Sequence, residues 1–110
     1  MRYSHTAVIE RGASVDGDLA TEPYEAGWAA EARWFVKVGA FDGPTVLAMQ
    51  TEISPDGLVW IPLEEAVHTV SHAGMVSWSV RDFGQWLRLR LSTDEGETSP
   101  TVMVYLALKS

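Results

Sequence analysis

The sequence contains three histidines, which are candidate metal ligands because imidazole binds several transition metals. His68 and His72 are separated by four positions, and His5 is far from both in the sequence. On a strand, that spacing places two rings on one face but roughly 13 Å apart, from a rise of about 3.3 Å per residue. One ion cannot join ligands at that separation. We therefore predict no metal site.

Carboxylates and serines offer the other routes to catalysis. A glycosidase needs two carboxylates that face each other across a cleft. Glu64 and Glu65 are adjacent, so on a strand they point to opposite faces, and residues 94–97 have the composition of an exposed hairpin tip. No serine lies in a Gly-x-Ser-x-Gly elbow, and no glycine-rich phosphate loop occurs. The sequence predicts a protein that is not an enzyme and has no cofactor.

The five tryptophans are better suited to binding, because an indole can stack on a sugar ring or anchor a protein interface. Trp34, Trp60 and Trp78 are in phase with apolar neighbours, which predicts that they lie in the core. Trp28 ends an irregular stretch, and Trp86 alternates with leucines. These two are therefore candidates for contacts outside the domain.

Residues 85–92 alternate strictly between leucine and larger polar or aromatic side chains. If the core takes Leu87, Leu89 and Leu91, the outward stripe consists of Trp86, Arg88 and Arg90. Tryptophan and arginine are enriched at protein interfaces. The alternative is an ordinary exposed face on which guanidinium groups stack over the indole. Trp28 and the three residues of the stripe are the predicted interface residues.

Composition narrows the class of protein further. The chain has 110 residues, which suits one domain, and no cysteine, so it has neither disulfides nor thiolate metal sites. A formal charge of −7 repels phosphate backbones and disfavours nucleic-acid binding. No apolar run approaches the roughly 20 residues that cross a bilayer, and no secretion signal is evident. We expect neither a membrane nor a nucleic acid as partner.

The charges are distributed unevenly along the sequence. Carboxylates concentrate in residues 16–31, at 64–65 and at 94–97, whereas Arg81, Arg88 and Arg90 lie together late in the chain. This asymmetry suits head-to-side contacts between subunits. A solvated surface is the alternative, because exposed charges contribute little to stability.

Alternation with a period of two, interrupted by turn residues, predicts an all-β domain of about seven or eight strands. The pattern is typical of an antiparallel β-sandwich or jelly roll. The candidate strands are 5–10, 28–41, 45–53, 58–63, 67–71, 74–81, 85–92 and 101–109. Residues 1–27 are interpreted as an irregular arm with a first short strand, and 28–110 as the sandwich body. A short helical turn within 23–33 is compatible with the sequence.

One turn stands out between these strands. Ser54, Pro55, Asp56 and Gly57 separate two apolar stretches, and Trp60 follows three residues later. Proline presets φ, aspartate bonds to the backbone beyond it, and glycine accepts a positive φ. We predict a hairpin here, with Trp60 folded back over it.

Residues 50–60, the segment 84–90 and the Ser-Pro-Thr-Val opening of the last strand together resemble small β-sandwich virion proteins of tailed bacteriophages. The resemblance covers residues 28–110. It implies a domain that decorates capsids or belongs to head, neck or tail structures. The hairpin is also similar to one in discoidin-like, galactose-binding jelly rolls, which attach enzymes or cells to carbohydrate.

The sequence and this resemblance together predict a non-enzymatic virion structural protein, assembled in the host cytoplasm. Its most concrete form is a phage capsid decoration or minor capsid protein that binds the assembled shell. The expected partners are the major capsid protein or other virion subunits, with many copies or a homo-oligomer on the shell, and the 1–27 arm is expected to order on binding. A carbohydrate-binding module and a tail or baseplate subunit are the alternatives.

Overall fold

The computed structural model describes residues 3–39, 45–94 and 99–110, which form an all-β domain of ten strands. The strands are β1 (Ser4–Ser14), β2 (Asp18–Ala20), β3 (Tyr24–Glu25), β4 (Glu31–Val38), β5 (Leu47–Ser54), β6 (Ile61–Pro62), β7 (His68–Val70), β8 (Gly74–Val80), β9 (Trp86–Thr93) and β10 (Thr101–Lys109). No helix occurs in these three ranges, so none of their residues forms a helix able to cross a membrane.

The strands form two antiparallel sheets. Sheet I has the order β1-β10-β4-β8, and sheet II has the order β2-β9-β5-β6. β3 also pairs with β9, and β7 with β5. β2 and β3 both pair with the same edge of β9, so together they form one interrupted strand. β6 and β7 likewise form one interrupted strand along one edge of β5. Counted this way, the domain is an eight-stranded jelly roll, as the sequence predicts.

The core lies between the sheets and is formed by alternate residues of the long strands. Sheet I contributes fully buried side chains that include Trp34, Val36, Val104 and Leu106, and sheet II contributes Leu47, Met49, Leu87, Leu89 and Leu91. The register predicted for residues 85–92 is therefore confirmed. Trp34 and Trp78 are core residues, as predicted, with 0% and 8% of their surface exposed.

A polar contact joins the two sheets inside this core. The indole nitrogens of Trp34 and Trp78 both donate to Thr51 Oγ1, at 3.0 and 3.3 Å. Thr51 is completely buried, and its hydroxyl oxygen has two lone pairs with which to accept both bonds. One threonine of sheet II thus satisfies two buried donors of sheet I.

The short strand predicted at 5–10 lies within β1, but the prediction that the rest of 1–27 is an irregular arm is wrong where β1 continues to Ser14 and where β2 and β3 form. Residues 4–14 form the edge strand of sheet I, and short strands between 18 and 25 join sheet II. Val15 and Ala26 are fully buried. The alternation is lost in this region because register shifts interrupt β1 and because Gly12 and Gly17 adopt positive φ.

Other boundaries also differ from the prediction. The strand expected at 58–63 is reduced to Ile61–Pro62, and the strand expected at 28–41 begins at Glu31. A tight turn, in which the Ala29 N–H donates to the Ala26 carbonyl at 3.0 Å, replaces the short helical turn. The turn expected at residues 42–44 and most of the hairpin tip expected at 94–97 lie outside the described residues.

Candidate functional site

The turn after β5 is fixed by hydrogen bonds among its own residues. Ser54 Oγ accepts from the Gly57 and Asp56 amides at 2.8 and 3.3 Å and donates to Asp56 Oδ1 at 3.0 Å. Asp56 Oδ1 also accepts from the amides of Leu58 and Val59, at 2.9 and 3.2 Å. The Leu58 amide is the main reason that the pKa of Asp56 lies below its ordinary value, with the Val59 amide next. The loop is therefore held in one conformation.

Gly57 and Trp86 bring this turn against sheet II. Gly57 has φ of +78°, as predicted. A Cβ atom at this position would meet the Trp86 indole at 3.5 Å, so the turn lies directly on that ring. Trp86 points away from the core but is half-buried for this reason.

Beyond the turn, three large apolar side chains face solvent. Leu58 is 81% exposed, Val59 68% and Ile61 56%. Their exposure was not predicted from the sequence, because the stretch 58–63 was interpreted as a strand. The missed signal is the uninterrupted run Leu58-Val59-Trp60-Ile61, which lacks the alternation of a half-buried strand.

Trp60 is not the core residue that was predicted. It is half-buried on the outside of sheet II, where its ring lies 4.4 Å from the Arg88 guanidinium carbon. Arg88 Nε in turn donates to Glu52 Oε1 at 2.7 Å, and the two side chains are only 19% and 9% exposed. Trp60 therefore covers an ion pair. The stacking foreseen for the stripe occurs, but on Trp60 rather than on Trp86.

The other two arginines of the late cluster, Arg90 and Arg81, are also paired within the chain. Arg90 Nη2 lies 2.6 Å from Asp18 Oδ2, a contact that raises the pKa of Arg90. Arg81 does not lie with Arg88 and Arg90, since it follows β8 in sheet I and is 3.9 Å from Glu31. The late cluster of arginines is thus divided between the two sheets, because successive strands alternate between them.

Trp28 is 44% exposed, in the turn between β3 and β4. A Cβ atom on the preceding Gly27 would collide with the Gln85 side chain, so Trp28 lies near the end of the sandwich at which β9 begins. Whether Trp28, Trp86, Arg88 and Arg90 contact a partner stays a prediction.

A groove of about 430 Å³ lies beside the hairpin. Ile53, Pro55 and Ile61 line one part of it, and Phe83, Gly84 and Gln85 line another. Together with Leu58 and Val59, this groove forms a mainly apolar surface, which we call the hairpin surface. A group of exposed apolar side chains of this kind is a common mark of an interaction site.

The titratable groups near this sheet make structural contacts. His68 Nε2 lies 3.2 Å from Glu64 Oε1, and the imidazole stacks on Trp78 with ring centres 4.1 Å apart. Among the residues that the structure describes, no three His, Cys, Asp or Glu side chains are grouped as metal ligands.

Comparison with known proteins gives matches in structure. No protein-family model and no curated protein sequence matches the chain. The PBSX exported protein XepA matches with a TM-score of 0.69 and 12% identity, over 94% of this chain and 36% of XepA. The SPBc2 prophage-derived protein YomS matches with a TM-score of 0.65 and 11% identity, over 100% of this chain and 96% of YomS. A chain of infectious bursal disease virus Gx strain matches with a TM-score of 0.58 and 10% identity, over 100% of this chain and 32% of the viral one.

The chain shares its fold with these proteins. Two of them are phage-derived, so the resemblance to phage β-sandwich proteins noted in the sequence extends to the three-dimensional structure. The chain spans about a third of the XepA chain, whereas it matches YomS over nearly the whole length of both. At such low identity the likeness concerns the fold.

Proposed function

We propose that this protein is a non-enzymatic structural component of a phage virion, which binds the assembled shell as a decoration or minor capsid protein. The observation that carries the proposal is the hairpin surface, where Leu58, Val59 and Ile61 are displayed on a turn fixed by its own hydrogen bonds. The fold adds support, since jelly rolls are common in viral capsid domains. Fold alone does not specify function, and the hairpin surface is therefore the main support for this role.

Exposed apolar side chains in a group are unfavourable for a protein that stays alone in solution. Burying one such side chain completely contributes about 1.5–3 kcal/mol. Because the loop conformation is already fixed by Ser54 and Asp56, little entropy is lost when a partner covers the tip. Many copies on a shell would add avidity to individually weak contacts.

A carbohydrate-binding module is the second candidate, and the geometry of the tryptophans weighs against it on this surface. A sugar needs an accessible indole face. The 54–57 turn lies on Trp86, and Arg88 stacks on Trp60. Trp28 is the tryptophan on which a glycan-binding role would have to depend. A tail or baseplate subunit would use the same kind of protein contact and differs only in location.

The test is co-sedimentation of the purified domain with virions and with assembled empty shells of the phage that encodes it. The variant Leu58→Ser/Val59→Ser should bind at least tenfold more weakly, because two apolar anchors are lost. Val67→Ser is the matched control, since Val67 is also an exposed apolar residue, at 48%, but lies outside the hairpin surface. It should bind as the unchanged protein does.

Unaltered sedimentation of the Leu58→Ser/Val59→Ser variant would show that the contact surface lies elsewhere. Binding to tails but not to shells would assign the protein to the tail or baseplate. Binding on a glycan array, lost in Trp28→Ala and accompanied by no binding to virions, would replace the proposal with the carbohydrate-binding function.

A further inference from the structure

A second distinctive surface lies on the outer face of sheet I. Cross-strand pairing places Val8, Tyr105 and Phe35 side by side across β1, β10 and β4. The neighbouring row brings Met103 beside the aliphatic part of Lys37, followed by Met75. Val8 and Met75 are 39% and 56% exposed. The middle of this face is therefore apolar.

Basic residues surround this apolar centre. They account for five of the eight Lys and Arg residues of the chain: Arg11, Arg33, Lys37, Arg81 and Lys109. An apolar centre with tyrosine, phenylalanine and methionine inside a polar rim is the usual anatomy of a protein interface. We call this surface the basic face.

The basic face also contains a recess that can receive a side chain. A cavity of about 290 Å³ has Arg33, Arg81 and Lys109 in its wall, together with Phe35 and the carboxylate of Glu31. Arg33 Nη1 donates to Ser77 Oγ at 2.9 Å, which orients the guanidinium. Three cations against one carboxylate favour an entering anion, and a carboxylate side chain of a protein fits such a site.

The matching acidic surface is present on the same chain. The segment between Arg11 and Arg33 contains no Lys or Arg. The carboxylates of this segment include Asp16, Glu22 and Glu25. All three are exposed, and residues 16–25 run along the outer edge of sheet II beside β9. We call this edge the acidic margin. It belongs to the other sheet, so the two surfaces of one molecule can contact two different neighbours.

From this charge complementarity we infer that the basic face docks on the acidic margin of a second copy of this chain. The contact is heterologous, so it leaves one free surface of each kind and can be repeated. The net charge of −7 opposes association, but at physiological ionic strength charges act over only about 8 Å, so the charges in contact dominate. The inference uses residues outside the hairpin surface and does not depend on the proposed function.

Charge reversal tests this pairing. Arg11→Glu/Lys37→Glu makes the basic face acidic, and Asp16→Lys/Glu22→Lys makes the acidic margin basic. Sedimentation equilibrium from low micromolar to millimolar concentration should show self-association of the unchanged protein that weakens as salt is added. Each variant alone should associate at least tenfold more weakly, because like charges then meet. An equimolar mixture of the two should associate again, because each altered surface meets its complement.

Glu65→Lys is the control, since it reverses an exposed carboxylate away from both surfaces and should leave self-association unchanged. Circular dichroism of each variant verifies that it is folded. A protein that is monomeric at every concentration would overturn the inference. So would association that survives in both charge variants, or a mixture that stays as weakly associated as its components. Association abolished by Leu58→Ser/Val59→Ser alone would assign the contact to the hairpin surface instead.

Discussion

At the scale of single residues, Asp56 organises the loop that displays the hairpin surface. Its ionised carboxylate accepts from the Leu58 and Val59 amides, which holds its pKa in the folded protein below the ordinary 3.8. A lowered folded pKa means that the stabilisation is complete above the unfolded value and is lost as the pH falls through the folded value. The loop should therefore loosen on acidification below the ordinary aspartate pKa.

Amide hydrogen exchange by NMR measures this loosening at Leu58 and Val59. Their protection should fall on acidification once the intrinsic exchange rate is taken into account. Asp56→Asn should show weakened protection that no longer depends on pH in this range. Equal pH dependence in the two proteins would contradict the role given to the carboxylate.

Arg88 has a structural role that its position in an outward stripe does not suggest. The register of β9 predicts that the Arg88 side chain points outward. In the structure, Trp60 covers this side chain and Glu52 forms an ion pair with it. Arg88→Gln would leave a nearly covered carboxylate without its partner, which should cost about 2 kcal/mol of unfolding free energy.

Urea unfolding of Arg88→Gln, of Glu52→Gln and of the double variant provides the measurement. The double variant should be more stable than the sum of the two single losses implies, because no charge is then left unpaired. Additive losses would show that the pair is too well solvated to matter. The pairing itself was beyond prediction from sequence, because Glu52 and Arg88 belong to strands that are far apart in the chain.

At the scale of secondary-structure elements, Thr51 joins the sheets through the two indoles described above. Thr51→Val keeps the volume but removes the acceptor of both Trp34 and Trp78. Leaving buried donors unsatisfied costs about 1–3 kcal/mol for each group. We expect a loss of about 2 kcal/mol or more in unfolding free energy.

Thermal and urea unfolding of Thr51→Val and Thr51→Ser distinguish the two parts of this side chain. Serine keeps the hydroxyl and should lose about 1 kcal/mol for the missing methyl group. If valine proved as stable as threonine, the indole nitrogens would have to find other acceptors, and the polar contact would be incidental.

The elements that the sequence predicts well are those with sustained alternation. β9 was located with its inward and outward faces, because its leucines alternate strictly with other side chains, and β10 matches the strand expected at 101–109. β2, β3, β6 and β7 have two or three residues each, too few to show a period. They hydrogen-bond to long strands that lie elsewhere in the chain, and such pairing leaves no pattern in the local sequence. The exposed tip at Leu58 and Val59 was missed for a related reason, since burial depends on what the rest of the fold covers.

At the scale of the whole molecule, the sheet order depends on pairing between the two ends of the chain. β1 pairs with β10 along its whole length, with Ser4 opposite Lys109 and Ser14 opposite Thr101. Composition and alternation established an all-β sandwich, because they report on each strand separately. They do not report which strands pair, and the supposed arm at 1–27 was assigned outside the sandwich for that reason.

The same pairing has a consequence for engineering. The Ser110 amide donates to the Tyr3 carbonyl at 2.9 Å, and the Tyr3 amide donates to Ser110 Oγ at 2.7 Å. Residues 3 and 110 can thus be joined by a short linker, and new ends can be opened in the exposed segment 65–67 to give a circular permutant with the same sheets. For the same reason the whole jelly roll can be spliced into a surface loop of a carrier protein, where both junctions would leave from one point.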